Sequence, residues 1–354
     1  MTQTAAGRDA VDWQLAASRA AALAPVGPQM DRQTLTEFVD ELRASALEAP
    51  AHVGAVTGLL EPALRAGAGP VYVVDRPRWA AANITMLQGT VGDVLPRPSA
   101  PWGHRFAGEE LGALLALLAS KVLGQYDPFA TAPDTGRAGR LVLVAPNILR
   151  IHRDIGADRR DFGMWVCLHE QTHALQFAAA PWLAAHMRTT MRSLMTTVAD
   201  VEGGGRRLQD LLRALPGVVS GERRDAPAGA LLDAVLTEDE RAAIEQSVAV
   251  MSLLEGHADV VMDAVGPRVV PTVKKIRKSF EKRREGTGPV DLVLRRLLGL
   301  DAKLAQYRNG AAFVRAVVDR VGHEGFNAVW AGAEHLPAAD EIAHPERWVR
   351  RVHG

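Results

Sequence analysis

"WVCLHEQTHALQF", residues 165–177, sets His169 and His173 four positions apart around Glu170, inside a run that is otherwise mostly apolar. On a helix, positions four apart lie one turn above each other, so the two imidazoles converge on one point and Glu170 projects from nearly the same side. Two neutral nitrogen ligands beside a carboxylate that can take a proton are the donor set of a zinc hydrolase. The alternative is a pair of core or surface histidines without a metal. Val166, Leu168, Leu175 and Phe177 make the segment largely core-facing. A helix that carries two histidines and a glutamate into a core needs something to compensate them, and a metal ion does so.

A catalytic zinc takes three protein ligands and leaves one position open. One class of such motifs places a glycine and a third histidine three and six residues after the second histidine; here those positions hold Gln176 and Ala179, which excludes it. Cys167 lies about 200° around the helix from His169 and does not join the site. The third ligand is expected in "MSLLEGHADVVMD", residues 251–263, where Glu255 and Asp259 are four apart among Leu254, Val260 and Met262. Two carboxylates on one buried helical face repel unless a cation is near. Glu255 as ligand and Asp259 as acceptor for the second ring N–H of a ligand histidine satisfy both; a solvated acidic face is the competing reading. His257, two residues from Glu255, is expected to face away in a structural or surface role.

The rest of the chain limits the alternatives. At 354 residues and 47% hydrophobic, it buries one large core or two smaller ones. The 41 basic residues balance the 41 acidic ones, so no overall field draws the molecule to nucleic acid or an anionic membrane. The basic run "KKIRKSFEKRRE" (274–285) has an apolar edge at Ile276 and Phe280 and is expected to be a surface helix. Cys167 is the single cysteine, which rules out an intramolecular disulfide and points to a reducing, cytoplasmic setting. Arg8, Asp9, Asp12 and Arg19 break what a secretory peptide needs as an apolar core. "LGALLALLASKVLG", from Leu111, falls well short of the ~20 residues that span a bilayer.

Apolar spacing of three and four residues predicts helix for most of the chain. "PVYVVD" (70–75) and "RLVLVAPNI" (140–148) are β-branched and brief, and predict strands of a small mixed sheet. The expected fold class is therefore mainly α with a small mixed sheet, α+β. The organisation expected is a helical segment over 1–66, the sheet and active-site helix over 67–201, an inserted segment over 202–236 set off by "EGGGRR" and "PGVVSGERRDAPAG", and a helical part over 237–354. Thr237 and Glu240 form a capping-box pattern opening a long helix that stops at Gly266-Pro267.

"LHEQTHALQF" and "LLEGHADVVMD", with "LDAKLAQYRNGAAFVRAVVDRVG" and "GFNAVW" downstream, resemble the zincin-like metallopeptidase family found in actinobacteria and often labelled as associated with coenzyme F420 biosynthesis. The resemblance covers most of the chain. It implies a zincin-like fold and a gluzincin-like site in which His169, His173 and Glu255 match the zinc ligands, Glu170 the general base and Asp259 the supporting aspartate. The interval from His173 to Glu255 is longer than in most gluzincins. Nothing in the sequence would bind a deazaflavin.

The expectation is one Zn2+ per chain and hydrolysis of peptide or amide bonds in a peptide or protein substrate, with Glu170 accepting the proton of the attacking water. Tyr307, one of three tyrosines, is the candidate neutral donor to the oxyanion, and His323 in "VGHEG" a weaker one. The strand 141–145, just before the active helix, is a candidate to pair with an extended peptide, unless it is a central strand. The rival reading is a non-catalytic binding protein stapled by the same metal. It would want a fourth protein ligand, and it gives Glu170 no task.

Overall fold

The computed structural model describes residues 9–131, 138–200, 238–285 and 310–354. The expected insertion over 202–236, the cap at Thr237 and Tyr307 lie outside the described residues. Helices α1 (Trp13–Leu23), α2 (Arg32–Thr57) and α3 (Leu60–Gly67) lead into strand β1 (Val71–Val74). Helices α4 (Arg76–Val91) and α5 (Gly103–Ala119) precede strands β2 (Gly124–Thr131) and β3 (Ala138–Val144). Then come α6 (Ala145–Asp154), α7 (Arg159–Ala179), α8 (Leu183–Asp200), α9 (Glu238–Val265), α10 (Val273–Glu285) and α11 (Gly310–Phe326). Two 3-10 turns and the short helices α12 (Ala339–Ala343) and α13 (Pro345–His353) close the chain. The protein is mostly helical with one small mixed sheet. Among the described residues no helix is long and apolar enough to cross a membrane.

The sheet has the order β1-β3-β2, with β1 parallel and β2 antiparallel to β3. The aliphatic run of β3 follows from this central place, because both of its faces are buried. Leu141 and Leu143 enter a core shared with α2, α6 and α7, while Val142 and Val144 enter one shared with α1, α4 and α5. Two expectations change here. The strand predicted over 140–148 ends at Val144, where Ala145-Pro146 opens α6, proline being favoured in a first helical turn. A central strand also has no free edge for a peptide, so β3 does not take that role.

The third strand, β2, went unread in the sequence because "GQYDPFAT" contains Pro128 and a buried aspartate. Proline suits an edge strand, and the pairing register shifts between Asp127 and Thr131. Asp127 holds that irregularity by accepting from the Phe129 and Ala130 backbone N–H groups and from Arg140.

Helix α7 carries the quoted stretch through the middle of the molecule, packed by α2, α3, α9 and β2. Asp158 caps it by accepting from the Asp161 N–H at 3.0 Å. Two of its buried polar side chains are satisfied by backbone: Gln171 donates to the Ala46 carbonyl and Thr172 to the Leu168 carbonyl. Helix α9 crosses α7 and ends at Gly266, whose φ of 74° is the left-handed stop expected at that Gly-Pro. Ile276 of α10 is buried in the core, and Arg277 pairs with Asp263 and donates to the Asp259 carbonyl, so that helix is tied to α9.

Candidate metal centre

The crossing of α7 and α9 brings His169, His173 and Glu255 together. The two Nε2 atoms are 3.1 Å apart, and the Glu255 carboxylate oxygens lie 3.4 Å from His169 Nε2 and 3.5 Å from His173 Nε2. Three donors bound at 2.0–2.1 Å around a tetrahedral ion stand roughly 3.3–3.4 Å apart, and these separations are of that order, the two to Glu255 ending on its two different oxygens. Among the described residues this is the one group of three or more His, Cys, Asp or Glu side chains close enough to hold a metal ion. The donor chemistry, two imidazoles and a carboxylate, fits zinc.

Burial is graded across the group. The side chains of His169 and His173 keep 22% and 14% of their exposure, whereas Glu255 keeps 55%. The histidines are thus held within the fold, while the third member of the group, Glu255, stands toward the surface. The imidazoles are oriented through their other nitrogens. His173 Nδ1 is 2.9 Å from Gln176 Oε1, and His169 Nδ1 is 3.2 Å from Met262 Sδ.

The protonation balance follows from these contacts. Burial works to lower the His173 pKa, but its hydrogen bond and charge pairing with Glu255 and the Glu170 charge outweigh it and lift the value to about 9. Burial likewise opposes ionisation of Glu255, and the hydrogen bonds from both imidazoles reverse that, holding the carboxyl far below the usual carboxylate range. Without a metal, a proton on the imidazoles does the work of the cation.

Glu170 is buried, at 6% exposure, and is not one of the three grouped ligands. Burial raises its pKa, with the His169 and His173 charges pulling the other way. Its carboxylate rests against β2. A Cβ built on Gly124 would lie 2.6 Å from Glu170 Cγ and 2.8 Å from Oε1, so only glycine leaves room for this rotamer at this strand position. The Tyr126 backbone N–H donates to Glu170. Tyr126 itself stacks at 5.7 Å on Phe177, one helical turn beyond His173, which fixes the strand to the helix.

The other sequence candidates fall as follows. Asp259 sits half-buried one turn beyond Glu255 on α9. Cys167 is buried on the far side of α7 against the Leu42 carbonyl, where burial pushes its thiol pKa up. His257 is fully buried, between Phe326 and Trp330, and burial holds its pKa down to about 3. His323 follows a kink at Gly322 in α11, and its charge acts on His257. Sequence reasoning missed Gly124, Met262 and Gln176. Of these, Gln176 left a trace, three residues after His173 and so on the same helical face.

The sequence profile of a family described as zincin-like metallopeptidase matches residues 11–349. A crystal structure from Chloroflexus aurantiacus, described as a candidate hydrolase with a novel fold, matches with a TM-score of 0.65 and 29% identity, over 96% of this chain and 98% of that one. No curated protein matches the chain.

Proposed function

The chain belongs to the zincin-like metallopeptidase family, and we propose that it is a zinc-dependent peptidase of gluzincin type. The observation that carries this is the grouping of His169, His173 and Glu255, the two Nε2 atoms 3.1 Å apart and the Glu255 oxygens Oε2 and Oε1 at 3.4 and 3.5 Å from His169 and His173, flanked by a glutamate that is not part of it. Zinc held there supplies Lewis acidity to a water and to the scissile carbonyl.

The residues of the chain do the rest. Glu170, its pKa raised by burial, accepts the proton of the attacking water and returns it to the leaving amine. Gly124 and the Tyr126 N–H set where the Glu170 carboxylate stands. The second ring nitrogens of His173 and His169 face Gln176 and Met262, so the acceptor role expected of Asp259 passes to them, and Tyr307 donates to the oxyanion. Strand β2 takes over the substrate-pairing role expected of β3: it lies at the end of the sheet order, and it touches Glu170. An extended peptide laid along that edge passes the ligand group, which favours peptide substrates over small amides.

The test is digestion of a diverse peptide library by the zinc-loaded protein, with the chelated protein and the His173→Ala variant in parallel. Cleavage by the loaded wild type alone supports the proposal. An inert, stoichiometrically loaded wild type favours the rival, a zinc-stapled binding protein.

A further inference from the structure

Gln176 touches three groups, and together they admit one arrangement of protons. The Leu254 carbonyl can only accept, so the atom of Gln176 at 2.8 Å from it is the amide nitrogen. That turns the amide oxygen toward His173 Nδ1 at 2.9 Å, and because an amide oxygen only accepts, Nδ1 carries the proton. With the Nδ1 proton committed to Gln176, Nε2 is the nitrogen that gives up its proton when a metal binds, and it faces His169 Nε2 and Glu255. The second Gln176 N–H meets His257 Nδ1 at 3.1 Å, so that nitrogen accepts and His257 carries its proton on Nε2. His257 has no other route to turn, being fully buried and stacked on Phe326 at 5.1 Å.

We propose that Gln176 is the positioning residue of the metal centre: it holds His173 as the Nδ1–H tautomer with Nε2 aimed at the ion. It does so from a seat fixed by the Leu254 carbonyl and by His257. Leu254 directly precedes Glu255, so one side chain aligns a ligand on α7 with the segment of α9 that bears another. His169 has only a thioether at its Nδ1, a weak acceptor, so the two histidines are oriented with unequal strength. The inference rests on reading His169, His173 and Glu255 as a metal site, and it adds which neighbour builds that site.

The experiment uses the full chain with zinc, measuring affinity by competition with a chromogenic chelator and histidine tautomers from 15N spectra of the zinc-loaded protein. Wild type should show His173 protonated on Nδ1. Gln176→Leu keeps bulk but removes the acceptor, and should bind zinc roughly 10- to 100-fold more weakly. Gln176→Glu keeps the acceptor but loses the donors that seat it on the Leu254 carbonyl, so zinc affinity should fall between those of wild type and Gln176→Leu, and His257 should switch to the Nδ1–H form. His257→Phe should leave the His173 tautomer unchanged, because Leu254 still holds the amide. A wild-type spectrum with the His173 proton on Nε2, or folded Gln176→Leu binding zinc as wild type does, overturns the inference. So does equal loss in Gln176→Leu and Gln176→Glu, which is what a merely structural role produces. A wild type that binds no zinc defeats the metal reading itself and is seen before any variant is compared.

Discussion

Gly124→Ala isolates the placement of the proposed base from everything else in the site. Gly124 is not among the glycines with positive φ, so alanine suits its backbone and the whole effect is one of contact. The added methyl would lie 2.6 Å from Glu170 Cγ, 2.9 Å from Cδ and 2.8 Å from Oε1, where unstrained contacts are about 3.5–4.0 Å. Roughly 1 Å must therefore be absorbed. The strand has little freedom to yield, since Gly124 stands opposite Leu143 and the Val144 N–H donates to the neighbouring Leu123 carbonyl at 2.8 Å. Helix α7 is buried along most of its length. The carboxylate moves instead. A displacement of about 1 Å in a reacting group costs up to ~10²-fold in rate, and the overpacking costs about 1–3 kcal/mol of stability. The ligand triangle is untouched, so zinc stoichiometry should stay at the wild-type value. The assay is kcat on the best peptide found for wild type, with zinc content and thermal midpoint measured on the same sample. Wild-type kcat in a folded, zinc-loaded Gly124→Ala protein would refute the placement of Glu170 against β2.

Other outcomes follow from the same geometry. One equivalent of zinc should copurify with wild type and be lost in His169→Ala and in His173→Ala, read by elemental analysis after chelator-free purification. In the metal-free protein the His173 pKa is raised from 6.5 to about 9, so its contribution to stability is full below pH 6.5 and is lost as the pH climbs through 9; the apo thermal midpoint should fall across that window, and fall less in His173→Asn. Zinc needs the neutral ring, so binding near pH 7.5 should release about one proton and tighten roughly tenfold per pH unit up to about 9, which calorimetry in buffers of different ionisation enthalpy measures. Gly256→Ala should lower the thermal midpoint by overpacking worth about 1–3 kcal/mol or more, because a Cβ there meets the backbone of Gly310 and α9 and α11 must part; an unchanged midpoint would mean the helices are not in backbone contact.

What the sequence disclosed and what it hid divide along a physical line. His169, Glu170 and His173 were legible because helical periodicity alone puts them on one face. Glu255 was reached through its apolar neighbours Leu254, Val260 and Met262, but the burial they suggested does not hold: its side chain keeps 55% of its exposure, and the crossing of α7 and α9 is what sets it beside the histidines. Strand β3 was legible because a strand buried on both faces is continuously aliphatic. Strand β2 was not, since its irregularity is held by Asp127 contacts to backbone and to Arg140 that exist only once the sheet has formed. Gln176 looked like an ordinary helical glutamine, and its meaning lies in a crossing partner 78 positions away, the Leu254 carbonyl. His257 was correctly expected to turn from Glu255, but α11 and the 3-10 turn after it, which place Phe326 and Trp330 around it, make it core and not surface. Gly124 gave no signal at all, because it opens the strand that went unread and its need for room shows only once Glu170 lies against it.

The central claim, that Glu170 serves the chemistry while His169, His173 and Glu255 serve the metal, is tested most directly by Glu170→Gln. The substitution keeps size and hydrogen bonding but removes the proton acceptor. Zinc content and thermal midpoint should stay near wild type while peptide hydrolysis falls by ~10²- to 10⁴-fold, the usual contribution of a general base. A variant that loses zinc would make Glu170 a ligand, and a zinc-loaded variant that cleaves as fast as wild type would contradict the mechanism outright.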